Sequence, residues 1–362
     1  MYGPFLEIDP KRVVVNYRRI RAHAGQAECS AVVKADSYGL GVEILAPLLS
    51  AEGCRTFFVT DTNEAATLRT VLPDPKTIIY ALDGPCSDPA TLMALNVIPV
   101  LNHPGQLESW RKLAAKTDKS LPAALHVDTG MNRLGFEMKD AEQILTATDG
   151  LAGITPRLIM SHLACADEPD HPMNAAQLAR FAPIRSLLPD VPASLANSAG
   201  ILLGGDYLHE LVRPGAALYG INPLAKGPTP VIRTAKLLAP VLQLREVDRG
   251  WTVGYGASCS CLNKRRVATI SIGYANGFLR SLSNRGHVHA HGVDLPVLGR
   301  VSMDLLTVDA TDCPALAVGD AVEIIGDNRT VDQVAREAGT IGYEVLTSLG
   351  NGRLPRHYGQ WK

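Results

Sequence analysis

No apolar run in this 362-residue chain approaches the ~18 residues needed to cross a bilayer, so it does not read as a helical membrane protein. Net charge is nearly absent as well. With 35 Lys+Arg against 36 Asp+Glu the formal charge is -1, which gives no support to a nucleic-acid or anionic-membrane partner. The seven cysteines (Cys29, Cys54, Cys86, Cys165, Cys259, Cys261 and Cys313) include no CxxC pair and are odd in number. They read as reduced thiols of a reducing compartment. Cys259 and Cys261 would share one face of a strand, where a plain structural role is expected. The start, Met1 to Asp9, carries acidic residues where a secretory signal would be uninterrupted and apolar, so a cytoplasmic protein is expected. A G-x-G-x-x-G phosphate loop is also missing after the first strand, which argues against an open doubly wound sheet.

What is present is an ordinary globular composition, 46% hydrophobic and 20% charged, long enough for two domains. Strand-like runs at Ser30–Val33, Thr56–Thr60, Thr77–Ala81, Val97–Leu101, Ala123–Val127, Arg157–Ser161 and Ala193–Leu195 are followed by an eighth near Ala216–Tyr219. Helical stretches lie between them, such as Val42–Glu52, Thr62–Val71, Pro104–Lys116, Asp140–Thr148 and Asn174–Leu188. Eight strands separated by helices predict an α/β fold of the (β/α)8 TIM-barrel type. Beyond about residue 230 the runs Leu237–Val247, Arg266–Ile272, Val288–Ala290, Leu305–Val308 and Val322–Ile325 predict a mostly β C-terminal domain, with a helix near Thr330–Ala338. The expected division is 1–230 and 231–362, with about the first nine residues free to join the second unit.

Chemistry in such a barrel sits at the C-terminal ends of the strands. Lys34, Asp128, His162, Asn197-Ser198 and Arg213 all fall at or just after a predicted strand end. Lys34 closes the apolar run Ala31-Val32-Val33 and precedes Ala35-Asp36-Ser37-Tyr38-Gly39-Leu40-Gly41. A lysine there can be an ordinary strand-end residue with its amine in solvent. At the mouth of an apolar pocket, its pKa can instead fall far enough for it to form an imine with a carbonyl compound. The wording of this segment closely resembles the pyridoxal-phosphate lysine motif of the alanine racemase family. Further family-like stretches follow in the family order: His126 to Gly135, Leu211 to Gly220, Val253 to Ser258, Gly273 to Gly277 and Gly299 to Asp304.

The resemblance implies a pyridoxal 5'-phosphate enzyme that racemises an amino acid, alanine first, with D-alanine destined for peptidoglycan. Racemisation needs a base on each face of the planar carbanion. Lys34 is implied for one face and Tyr255 for the other, the phenol needing a hydrogen-bonding or cationic partner to act as a base. Arg213 is implied to face the pyridine nitrogen, where a guanidinium donates a hydrogen bond without handing over its proton. Ser198 with the amides of Gly215 and Ala216 would hold the phosphate, and Tyr38 and His162 would contact the cofactor. Arg133, Tyr274 and Met303 are implied at the substrate carboxylate. Because the family completes each barrel site with the β domain of the other subunit, a homodimer with shared sites is implied.

Three departures from the family pattern stand out. His126 occupies a position where a carbamylated lysine commonly orients the arginine, Asn276 replaces an aspartate, and Leu349-Gly350-Asn351-Gly352 lacks a phosphate-binding tyrosine. His287, His289 and His291 alternate, as ligands on a strand face would, but have no evident fourth ligand, and no metal is expected. Alternative readings are a racemase of broader or different specificity such as serine, another barrel enzyme of this cofactor such as an amino-acid decarboxylase, and a non-enzymatic cofactor-binding protein.

Overall fold

Short parallel strands, buried along almost their whole length, set the first half of the fold. A computed structural model of the chain describes residues 3–85 and 88–360, so the thiol expected at Cys86 lies outside the described residues. Seven strands form one parallel sheet in chain order: Ala31–Val32, Thr56–Val59, Ile78–Ala81, Ile98–Leu101, Leu121–His126, Ile154–Met160 and Ala193–Ser194. Thr-Phe-Phe-Val at 56–59 is buried at all four positions, as expected of a strand covered on both faces. Capping carboxylates, Asp61 and Asp88, start two of the helices between strands. Asp61 accepts from Asn63 N at 2.9 Å and Glu64 N at 3.0 Å at the head of Thr62–Val71.

The eighth strand differs from expectation. Ala216–Tyr219 is a 3-10 turn, and the strand that closes the ring is Leu211–Val212, paired in parallel with Glu28–Cys29. On its other side Arg213 N donates to Ala196 O at 2.9 Å. Ala-Ala-Leu-Tyr is fully buried, and periodicity cannot tell a short buried helical turn from a short buried strand. The architecture is therefore a TIM-type barrel followed by a mostly β C-terminal sheet.

Connections beneath the barrel are fastened by one side chain. The Arg69 guanidinium donates to the carbonyls of Leu95, Leu72, Asp74, Thr77 and Asn96 at 2.9–3.3 Å. Arg69→Ala strands those carbonyls, and a loss of about 2–3 kcal/mol is expected, read from the urea midpoint. A midpoint that does not move contradicts this assignment.

The second sheet has eight strands, with the 13-residue strand Ala235–Val247 at its centre. Phe5–Ile8 pairs with it antiparallel, Phe5 opposite Leu238, and Arg356–Tyr358 runs parallel to Phe5–Ile8 on the outer side. Helices Val331–Ala338 and Gly342–Asn351 lie in the chain between the sheet's strands Ala321–Ile325 and Arg356–Tyr358, and the second was not expected from the sequence. The side chains of Cys259 and Cys261 pack in a small apolar cluster with Val253, Val267 and Leu298. His287, His289 and His291 each face a different carboxylate, Glu337 at 3.1 Å, Asp294 at 2.8 Å and Asp320 at 2.9 Å. Among the described residues no helix is long and apolar enough to cross a membrane.

Candidate active site

Lys34 lies two residues past the first barrel strand and begins a turn of the wrong hand. Ala35, Asp36, Ser37 and Tyr38 have φ of 50°, 54°, 55° and 57°, a left-handed helical turn in four residues that are not glycine. Each such residue costs about 1–2 kcal/mol relative to the right-handed form, so the turn persists only because its surroundings impose it. Glu64 holds its start, accepting from Ala35 N and from Thr60 N at 2.7 Å each. The turn directs the Lys34 and Tyr38 side chains into a cavity of about 640 Å³ at the C-terminal ends of the barrel strands.

Of the sequence-predicted residues, Lys34, Tyr38, Arg133, His162, Ser198, Arg213, Gly215 and Ala216 line this one cavity. Burial, reinforced by the nearby Arg133 charge, lowers the Lys34 pKa from its ordinary value. Arg213 is almost wholly buried, and no carboxylate among the described residues lies within 4 Å of it. Its guanidinium donates to Ser161 O at 2.6 Å and contacts Ser194 Oγ. Burial brings its pKa down to about 9, which leaves it cationic at neutral pH. Ser198 Oγ accepts from Gly215 N at 2.9 Å and Ala217 N at 3.3 Å, and a Cβ on Gly215 would collide with the Tyr38 hydroxyl. This end of the cavity is thus a cradle open only to glycine. Arg133 sits on the loop that Asp128 shapes by accepting from Gly130 N and Met131 N at 2.8 and 2.9 Å. His162 is kept neutral by burial and by Arg213 and Arg133.

His126 also faces the cavity, and its protonation is fixed by its neighbour. Asn102 Nδ2 donates to Leu82 O and Val100 O at 2.9 and 3.0 Å, which turns Asn102 Oδ1 toward His126 Nδ1 at 2.8 Å. Nδ1 is therefore the donor and Nε2 an acceptor. Burial, with Arg213 second, lowers the His126 pKa to about 4. An unfolded histidine takes its proton near pH 6.5, so stability is fully present above that pH and falls as the pH drops toward 4. About 2 kcal/mol is expected to be lost by pH 5 through this residue. Urea midpoints at pH 7 and pH 5 test it, His126→Gln being expected to lose less than the parent; an equal loss contradicts the assignment.

Tyr255, Tyr274 and Met303 do not line the cavity. They are 68%, 43% and 53% exposed, on neighbouring turns of the second sheet, where Tyr274 N donates to Ser302 O at 3.1 Å. Sequence reasoning missed Tyr343, which enters the cavity wall from helix Gly342–Asn351 with its ring 5.9 Å from that of Tyr38. It also missed Glu64 and Asn102, whose roles depend on partners far away in the chain. The capping position of Glu64, three residues after Asp61, was the one available signal.

Fold and site together define a barrel enzyme built around a half-buried lysine of lowered pKa at its strand ends. Residues 8–223 match the family model "Alanine racemase, N-terminal domain" and residues 234–358 match "Alanine racemase, C-terminal domain". The chain belongs to the alanine racemase family, whose members are isomerases. It is 47% identical over 362 residues to the alanine racemase of Methylobacterium nodulans, covering 99% of this chain and 96% of that one. A crystal structure of alanine racemase from Bartonella henselae with covalently bound pyridoxal phosphate superposes with a TM-score of 0.95 at 42% identity, covering 99% of this chain and 100% of that one. The biosynthetic alanine racemase of Pseudomonas aeruginosa gives 0.92 at 35% identity, with 99% and 100% covered.

Proposed function

We propose that this enzyme interconverts L-alanine and D-alanine with pyridoxal phosphate held on Lys34, using one base from each of two subunits. The observation that carries the reading is Lys34 itself, an amine of lowered pKa in a largely apolar cavity that Tyr38, Arg133, His162, Ser198 and Arg213 also line. The cavity suits the cofactor. Arg213, without a carboxylate partner among the described residues, offers a cationic donor to a ring nitrogen, and Tyr38, Ser198, Gly215 and Ala216 surround a space for the phosphate. When bound, pyridoxal phosphate supplies the electron sink that makes the α-proton of an amino acid removable near neutral pH.

Lys34 Nζ takes or returns that proton on one face, and Tyr255 of the partner subunit serves the other. Arg133 presents a planar fork to the substrate carboxylate, with Tyr274 and the Met303 amide of the partner subunit beside it. Arg213 donates while keeping its own proton, so no full charge forms on the acceptor it faces. His162, held neutral, packs at the cofactor without adding a charge. Trp251, Tyr255, Leu262, Tyr274, Met303 and Leu305, all in the second unit and each more than a third exposed, support a head-to-tail homodimer with shared sites.

The extents of the two family matches and the pairing of Phe5–Ile8 with Ala235–Val247 support a division at about residue 230, the first nine residues joining the second unit. A cytoplasmic location and supply of D-alanine to peptidoglycan complete the reading. Reaction in heavy water tests the two-base route. Early D-alanine is expected to carry α-deuterium while recovered L-alanine does not. Protium retained in the D-alanine overturns it.

A further inference from the structure

The geometry points to Arg356 and Tyr358 as positioning residues for Lys34, clasping the left-handed turn through Asp36 and Leu40. This rests on the reading of Lys34 as the residue that carries the cofactor. Nothing in Ala35, Ser37 or Tyr38 favours a left-handed backbone, and only the flanking Gly39 and Gly41 reach such angles at no cost. Support has to come from outside the turn, and it comes from the far end of the chain.

Asp36 divides its two carboxylate oxygens. Oδ1 accepts from Val42 N at 2.7 Å, at the first residue of helix Val42–Ala51, while Oδ2 is ion-paired with Arg356 Nη1. The other arm of that guanidinium donates to Gly350 O at 2.8 Å. Tyr358 Oη donates to Leu40 O at 3.1 Å, and a Cβ on Gly41 would strike that hydroxyl. A Cβ on Gly39 would stand 2.6 Å from Leu346 O and 2.8 Å from the Gly350 Cα, so helix Gly342–Asn351 lies directly on the turn. Arg356–Tyr358 is itself anchored, its three residues pairing with Leu6, Glu7 and Ile8. A partner more than 300 positions away thus closes on the turn from the second sheet.

Neither Asp36, Arg356 nor Tyr358 lines the cavity, so the three act through the turn and do not touch substrate. Release of the clasp lets Ala35 to Tyr38 relax toward right-handed angles, which displaces the Lys34 amine and the Tyr38 ring together. The effect belongs on cofactor attachment and turnover, with the alanine KM nearly unchanged.

The test uses the full-length holoenzyme with Arg356→Gln, Arg356→Lys, Tyr358→Phe and the pair Asp36→Asn with Arg356→Gln. Borohydride trapping with peptide mapping gives the fraction of Lys34 carrying cofactor, and steady-state kinetics separate kcat from KM. Arg356→Gln is expected to lower kcat by about tenfold and to reduce trapping at Lys34. Arg356→Lys restores most of both, and the double variant is no worse than Arg356→Gln alone. Trapping and kcat within about twofold of the parent in both Arg356→Gln and Tyr358→Phe overturn the clasp. So does a loss confined to KM, or one that lysine does not rescue. Parent enzyme whose trapped cofactor maps to another lysine overturns the reading of Lys34 itself, and the clasp with it.

Discussion

Lys34→Ala is expected to abolish racemisation, by at least about 10⁴-fold in kcat, while the protein stays folded. On the proposed mechanism two functions leave with one amine: the covalent hold on the cofactor and the proton transfer on one face. Stability should move the other way. Folding holds the Lys34 pKa below its ordinary value, so the unfolded chain binds its proton more tightly than the folded one does. Stability therefore rises with pH across that window, and the charged amine is a net cost at neutral pH. Truncation removes the cost, and apo Lys34→Ala is expected to unfold at the same urea concentration as the parent or a higher one. The pattern is that of a site carrying a group that weakens the fold to do chemistry. Residual activity above a hundredth of the parent contradicts the role given to Lys34.

Tyr255→Phe is expected to lower kcat by about 10²–10⁴-fold with the cofactor still attached to Lys34, since the hydroxyl lost is only a proton carrier. The more discriminating result comes on mixing. In a head-to-tail dimer, Lys34 of one chain works with Tyr255 of the other. Subunits exchanged between Lys34→Ala and Tyr255→Phe then build heterodimers with one intact site and one doubly defective site. Random pairing of equal amounts should restore roughly a quarter of the parent activity. Two inactive proteins that stay inactive after verified exchange would place both groups within one chain. Full activity of Tyr255→Phe alone would favour a decarboxylase-like chemistry that needs no second base. The exposure of Tyr255 away from its own cavity is what makes the mixing result the expected one.

Much of the barrel was legible because its signals are local. Thr62–Val71 is read at its observed limits, from an apolar period that begins just after the Asp61 cap. Strands such as Thr56–Val59 announce themselves as short apolar runs bounded by polar residues. The eighth strand failed for the converse reason. Leu211–Val212 is two residues long, too short to carry a period, while the longer apolar run beside it is a helical turn. The cavity residues on the barrel were legible as strand-end positions, yet their supports were not. Asn102, which sets the His126 tautomer, lies 24 positions from that ring, and Arg356 lies 320 from Asp36. No window along the chain contains such pairs. Helix Gly342–Asn351, which brings Tyr343 to the cavity, was equally hidden, since its tyrosine gains meaning only once the tail has folded back over the barrel.

His126 shows how a departure in sequence becomes a definite chemical statement in structure. A neutral ring with its donor occupied by Asn102 offers the cavity an acceptor nitrogen, with Arg133 close enough to depress its pKa. The position therefore presents a neutral acceptor nitrogen to the cavity that Arg133 also lines.

The most direct measurement is the circular dichroism of L-alanine incubated with purified, pyridoxal-phosphate-loaded protein and nothing else. Decay of the signal to zero with total alanine unchanged is the predicted result. A signal that stays flat, or one that falls because alanine is consumed, contradicts the account.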